Sequence, residues 1–472
     1  MLKRFALTAL LLSASAANAA DVRNIDLGPQ AQVWFVEDHT VPILSFNISL
    51  PSGSAHDPRD KPGLAAITAA MMDEGAGNLN AAAFHQALAV KAIQFSARAE
   101  RDFTVISVSS LAADAGEAMR LLQLALTRPR FDNEPLARVR ASIIQSLQQD
   151  AAEPSSVASR AFMRDFFNGH PYGHASNGEV ASINSVTQGD VRAFAKGHWV
   201  KNGIKIAVAG DITQPALTRL LGQTFAPLPG ITVAPPRDVG RLGRPGVHVV
   251  SMDVPQPTAV FGLPGIMRGD PDFIPGYVAN YIMGGGGFSS RLMDEVRTKR
   301  GLTYGVSTGL QNYRKASVMI GQVGTRANAI NQTLQVVRQT MADFASRGPN
   351  QAELDDAKTY LTGSFPLAFA SNTGIAAQLG TFQRQGLDVG YVLRRNALIQ
   401  AVTIDDVRRV ARRLFDPARL TVIVAGSPSG GTAAQRPSRP GGPPVVTPPP
   451  AGQAPAKPVD KPDRTKPPAP TR

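Results

Sequence analysis

A stretch of twenty-five residues occurs twice in this chain, 216 positions apart, and it constrains the fold more than any other feature. Residues 186–210 and 402–426 align without gaps and are identical at nine of twenty-five positions. Val186-Thr187-Gln188-Gly189-Asp190-Val191-Arg192 pairs with Val402-Thr403-Ile404-Asp405-Asp406-Val407-Arg408, and Val208-Ala209-Gly210 pairs with Val424-Ala425-Gly426. Each copy reads as a helix, a break and an apolar strand, Ile204–Ala209 in one and Leu420–Ala425 in the other. A match that keeps register across two elements implies a duplicated domain. The join falls in Pro227–Gly246, where Pro229-Gly230 and Pro235-Pro236 give linker composition. The expected halves are 20–228 and 247–427, with 229–246 between them.

Within the halves, Leu44, Phe46, Ile48 and Leu50 alternate with Ser45, Asn47 and Ser49, the pattern of a half-buried strand. Phe103–Leu111 is a second strand candidate, and Gly116–Leu126 and Glu134–Gln149 have helical spacing. Strands grouped with helices on one side predict an α+β fold of two homologous sandwich domains, each an antiparallel-rich sheet covered by helices.

The two ends differ from this body. Lys3 and Arg4, an apolar run from Phe5 to Ala16, and Ala17-Asn18-Ala19 have the three parts of a signal peptide (1–19), too short to span a bilayer. Its expected consequence is export across the inner membrane, to the periplasm. Residues 428–472 are rich in Pro, Ala and Gly, including Pro448-Pro449-Pro450, a composition expected to stay disordered or partly polyproline II. The net charge is +13, of which the tail carries five and the leader two. The remaining six, spread over some 400 residues, give no support to nucleic-acid binding. There is no cysteine, which excludes disulfides and thiolate metal sites.

Two segments carry chemical signals. Lys61-Pro62-Gly63-Leu64-Ala65-Ala66-Ile67-Thr68-Ala69-Ala70-Met71-Met72 resembles the zinc helix of the pitrilysin (insulinase-type) peptidases, in which a Gly-Leu-Ala step precedes His-x-x-Glu-His. In that family the two His bind zinc and the Glu polarises water. Here Ala66 and Ala70 stand at the His positions and Ala69 at the Glu position. The family's third ligand, a Glu on a later helix, maps to Ser146, with Gln145 beside it. The second segment, Gly284-Gly285-Gly286-Gly287-Phe288-Ser289-Ser290-Arg291-Leu292 running on to Tyr304, is similar to the family's glycine-rich turn, Ser-Arg-Leu helix and Arg-(six residues)-Tyr element. The resemblance makes Arg297 and Tyr304 the residues that hold substrate or transition-state oxygen at the zinc site of an opposing half. A guanidinium and a phenol suit that role. The glycine cluster lacks the Lys-Ser/Thr of a phosphate loop and reads as a tight turn.

Of the seven histidines, only His170 and His174 have i, i+4 spacing, and Pro171 and Gly173 between them argue against a regular helix. The resemblance therefore implies a half-clamshell with no metal or other cofactor of its own. Its implied function is that of a non-catalytic subunit pairing with a zinc-bearing homologue, as a heterodimer acting on peptide substrates and supplying Arg297 and Tyr304 to the partner's zinc. The alternatives are a stand-alone peptide-binding clamshell and a structural assembly protein.

Overall fold

The computed structural model describes residues 21–28 and 30–427. The expected signal peptide and Pro-rich tail lie outside the described residues. Thirteen strands are described: β1 (Val22–Ile25), β2 (Ala31–Glu37), β3 (Ile43–Leu50), β4 (Gly75–Ala76), β5 (Leu79–Asn80), β6 (Gln94–Ala99), β7 (Thr104–Leu111), β8 (Ile204–Gly210), β9 (Gly246–Val250), β10 (Thr258–Pro264), β11 (Thr303–Asn312), β12 (Ser317–Thr325) and β13 (Thr421–Ala425). β4 and β5 form a small hairpin; the others build two sheets, ordered β1-β2-β8-β3-β7-β6 and β11-β12-β10-β13-β9.

The duplication governs topology strand for strand. Reading the second sheet backwards, β9-β13-β10-β12-β11 repeats β2-β8-β3-β7-β6. In each sheet one pair is parallel, β2 with β8 and β9 with β13, and the remaining pairs are antiparallel. The repeated helices are Gln188–His198 and Ile404–Leu414, eleven residues each. Both start from a threonine cap whose partner is an aspartate three residues on: Asp190 N–H donates to Thr187 Oγ1 and Asp406 N–H to Thr403 Oγ1, both at 3.2 Å. Gly210 and Gly426 close the repeat at φ +136° and +135°, a region only glycine enters without strain.

Each sheet buries one face against helices of its own half. In the first, Ile48, Ile106 and Val208 meet Leu64, Ile67 and Leu122; in the second, Phe261, Met319 and Val424 meet Val337, Met341 and Val410. The second faces are covered by exchange. Helix Pro154–Phe167 leaves the first half and lays Phe162 and Phe166 on Val260 and Ile423 of β10 and β13. Helix Asn372–Arg384 comes from the second half and sets Ile375 and Leu379 against Ala207 and Ala209 of β8. The helices are thus not on one side only, as the sequence pattern implied.

The exchange also corrects the reading of β3. Ser45, Asn47 and Ser49 are all buried, so the strand is covered on both faces. Their hydroxyl and amide groups are satisfied by the arriving helix: Ser45 Oγ lies 3.0 Å from Thr373 Oγ1, and Arg384 Nη1 donates to Asn47 Oδ1 at 2.9 Å and Ser49 Oγ at 3.1 Å. Residues 229–245 hold no regular element, β9 taking up Gly246 from the expected linker, yet they are tied down. Gly243 N–H donates to Phe166 O at 2.9 Å, and Val239 and Leu242 pack on the phenylalanine cluster.

Candidate functional site

The first candidate is the helix Leu64–Ala70. It begins where the Asp57 carboxylate accepts the Gly63 and Ala65 N–H groups, both at 2.7 Å, and its inner face enters the core through Leu64 and Ile67. Burial pushes the Asp57 carboxyl up to about 7, against the pull of those two N–H donors. Met71 and Met72 follow it into the core. Ala66 and Ala70 sit half-buried on the outer face and Ala69 is buried. The helix lies beside edge strand β6 and packs on helix Asn133–Ala152, where Gln145 and Ser146 are exposed. The elements that would assemble a metal site are therefore together. A methyl group has no lone pair to give a metal, so no donor set remains at Ala66, Ala69 and Ala70.

Among the described residues, one group of three potential metal donors converges: Asp73, Glu74 and His85, which the sequence reading missed. Asp73 and Glu74 follow Ala70 by three and four residues, and His85 Nε2 lies 3.7 Å from Asp73 Oδ2. Desolvation pushes the Asp73 carboxyl up. Glu74 is already held by a short ion pair to Arg138, leaving two uncommitted donors, fewer than the three or four protein ligands zinc takes. His170 is committed as well: Nδ1 accepts the Tyr172 N–H at 3.1 Å and Nε2 meets Arg237 O at 2.9 Å. Burial holds both His170 and His174 below the usual imidazole range.

The second candidate is the segment from Gly284 to Tyr304. Its backbone widens twice into π-helical turns, Tyr281–Gly285 and Met293–Thr298. Such turns are rare and cluster at functional sites. Gly284 lies against β11 so closely that a Cβ would stand 2.5 Å from Thr308 Oγ1, which explains the glycine as close packing. Arg291 is an anchor: it donates to both Glu353 oxygens at 2.6 and 2.7 Å and to Gly348 O at 3.0 Å. Desolvation opposes the Glu353 charge, but the Arg291 guanidinium outweighs it and holds that carboxyl below the usual range. Lys299 and Arg300 are likewise spent on Asp294 and Glu295.

Arg297 differs from these neighbours. Among the described residues it has no carboxylate partner, and its guanidinium lies 4.6 Å from the ring of Phe288, which is itself 75% exposed. Tyr304 is 89% exposed. It is pushed outward by a bulge: β11 pairs with β12 at Thr303 and again at Val306, leaving Tyr304 and Gly305 outside the ladder. Thr303 Oγ1 fixes the bulge by donating to Gly324 O at 2.6 Å. The predicted Arg and Tyr thus stand in one segment at the sheet edge but on different elements, Arg297 half-buried on the π-turn and Tyr304 exposed at the bulge, and among the described residues neither has a carboxylate partner. Phe288, quoted within the motif but not singled out from sequence, is the platform that holds Arg297.

Comparison with known proteins bears on the family and the fold. Residues 32–178 match the family described as Insulinase (Peptidase family M16), and residues 185–361 match the Peptidase M16 inactive domain. The chain is 26% identical over 387 residues to a non-peptidase homolog, YmxG, of Helicobacter pylori, covering 80% of this chain and 88% of that protein. It is 25% identical over 331 residues to an uncharacterized zinc protease of Streptomyces coelicolor, covering 68% and 71%. The solved peptidase M16 inactive domain from Pseudomonas fluorescens superposes with a TM-score of 0.82 at 30% identity, covering 86% of this chain and 98% of that one. A protease structure from Helicobacter pylori has the same fold, with a TM-score of 0.79 at 18% identity.

Proposed function

From the premise that this chain belongs to the insulinase (M16) peptidase family and is a homologue of its inactive, non-peptidase kind, we propose that it is the non-catalytic subunit of a heterodimeric zinc metallopeptidase. The partner is a zinc-bearing homologue. This chain completes the peptide-binding chamber, while zinc, water activation and bond cleavage belong to the partner. In the encounter, Arg297 gives fixed N–H donors to a peptide carbonyl or terminal carboxylate, and the Tyr304 hydroxyl donates to the oxyanion that develops on attack. Localisation in the periplasm is part of the proposal.

The observation that carries it is the contrast around Arg297. Every neighbouring cation of the segment is paired, yet Arg297 lies over Phe288 with no carboxylate partner among the described residues, and seven positions on, Tyr304 presents a phenol 89% exposed. The experiment is affinity purification of the tagged chain from the native extracytoplasmic fraction. Recovery of a homologue with an intact His-x-x-Glu-His, and chelator-sensitive peptide hydrolysis by the pair but by neither chain alone, is the expected result. A chain recovered only as itself, and binding unfolded peptides unaided, would identify the peptide-capturing clamshell instead.

A further inference from the structure

The seam between the halves encloses a second feature, independent of the Arg297–Tyr304 edge. A cavity of roughly 1000 Å³ opens between the start of β8, the turn after β6, the β11–β12 hairpin and the C-terminal end of helix Asn372–Arg384. Six cations line it, Arg98, Arg101, Lys205, Arg268, Arg314 and Arg384, against two acids, Glu100 and Asp102. Glu100 is used by Arg98 at 2.7 Å and Arg384 at 3.4 Å. Asp102 is used by other donors: Tyr172 OH at 2.6 Å and the Arg314 backbone N–H at 2.9 Å. Four cations therefore remain without a carboxylate.

Their neighbours are neutral. Lys205 Nζ donates to Gln32 Oε1 at 2.9 Å, which occupies one of its three hydrogens. The Arg314 guanidinium lies 5.9 Å from the Phe103 ring. Arg101 Nη1 donates to His174 O at 3.2 Å, and Arg268 lies over the Phe273 and Tyr391 rings. Lys205 pays the most for its place: desolvation, then the nearby Arg314 charge, hold its ammonium below the usual lysine range. Lys205 and Arg384 are linked through β3, because Ser49, which accepts from Arg384, is the cross-strand neighbour of Lys205. A fold gains nothing from gathering like charges around an unfilled space, and groups destabilised in this way cluster where a ligand compensates them.

We propose that this cavity is a binding site for a small polyanion carrying linked phosphates, a diphosphate group either free or within a nucleotide. The charge count selects the class. A single carboxylate or orthophosphate would leave several cations uncompensated, whereas a diphosphate offers about two to three charges near neutral pH and terminal oxygens for both the Arg forks and the Lys point charge. The volume is at the upper end of that of small-ligand sites.

The test is calorimetric titration of the purified chain with sodium pyrophosphate, with ADP and with sulfate at matched ionic strength. One saturable site is expected, with pyrophosphate at least tenfold tighter than sulfate. ADP tighter than pyrophosphate would place the diphosphate in a nucleotide; equal affinity would confine recognition to the phosphates. Lys205→Met and Arg314→Gln are each expected to weaken binding about tenfold or more, and Arg314→Lys to lose less. Folding does not confound the result, because relief of the like-charge contact should raise the melting temperature of Lys205→Met without ligand. The site is refuted if pyrophosphate gives no saturable heat, if sulfate matches it, or if both variants bind as the wild type does. It is refuted equally if Lys205→Met melts lower, which would make the lysine a packing residue.

Discussion

Strands β6 and β11 occupy the same outer position in two sheets of matching order, yet the elements beside them have opposite fates. Next to β6, the helix Leu64–Ala70 keeps its structural devices and has no metal-binding side chain at the family positions: Asp57 caps it, Leu64 and Ile67 anchor it, and Ala66, Ala69 and Ala70 stand where the family has His, Glu and His. At the start of β11, Arg297 and Tyr304 reach solvent on a backbone distorted by a π-turn and a bulge. The difference teaches where stability and chemistry reside. The helix is held by its inner face and its cap, so alanine, the best helix former, replaces the outer residues without loss of structure. The second edge carries a π-turn and a bulge where the proposed Arg297 and Tyr304 stand, and irregularities of both kinds gather at functional sites.

The largest expected effect comes from reversing the first half. Ala66→His, Ala69→Glu, Ala70→His and Ser146→Glu together restore an i, i+4 histidine pair and a carboxylate on the adjoining helix. The wild type should retain no stoichiometric zinc after dialysis, and the fourfold variant about one ion per chain, measured by elemental analysis. One zinc on the wild type would show that the first edge still works. If His85→Ala then removed it, the Asp73–Glu74–His85 cluster would be its holder.

Next comes the second edge. Arg297→Ala with Tyr304→Phe should leave the complex with the zinc-bearing partner assembled, on size-purified material. Peptide hydrolysis should fall by about 10²–10³, the usual cost of losing a donor to a developing oxyanion. Normal turnover by the assembled double variant would reduce both residues to surface decoration. A smaller effect is expected at Phe288. An exposed cation–π contact is worth about 0.5–1 kcal/mol, so Phe288→Leu should lower hydrolysis two- to fivefold by loosening Arg297. No change with Phe288→Leu, alongside a large change with Arg297→Ala, would mean the guanidinium is positioned by the partner instead.

Sequence exposed this comparison unevenly. The duplication was legible because cap, helix and strand recur in one register, from Thr187 and Thr403 to Gly210 and Gly426. The empty helix was legible because Ala66, Ala69 and Ala70 sit within a local pattern around Gly63 and Met72. What stayed hidden depends on contacts between distant segments. Ser45, Asn47 and Ser49 look like the wet side of a strand, and nothing local announces that Thr373 and Arg384, more than 300 residues on, will cover them. The cationic cavity is hidden for the same reason: Lys205, Arg314 and Arg384 are separated by 70 residues or more and meet only at the seam. Phe288 was in plain view within the motif, but only the ring-to-guanidinium geometry gives it a role.

The smallest expected effect separates the two copies of the repeat itself. Asp190 and Asp406 cap equivalent helices, but only Asp190 is also reached from the leading turn of the empty helix, by Lys61 Nζ at 2.5 Å. Desolvation works to raise the Asp190 carboxyl; the Lys61 ammonium and the Thr187 donors overcome it and hold the group at about 2. Because the folded value lies below the ordinary aspartate range near 4, the stabilisation is complete above pH 4 and is lost as pH falls through 2. Asp406 is lowered mainly by Thr403, with Arg409 as its ion-pair partner on the same helix. Lys61→Met should therefore cost less than about 1 kcal/mol at pH 7, the range of a solvent-screened pair. That cost should shrink towards nothing at pH 2, whereas Arg409→Met should leave the attachment of the empty helix untouched. Denaturant midpoints of the three proteins at pH 7, 4 and 2 measure this. A Lys61→Met penalty that is equal at pH 7 and pH 2 would mean that Lys61 acts through the packing of its stem against the turn, and that the two caps differ in shape rather than in charge.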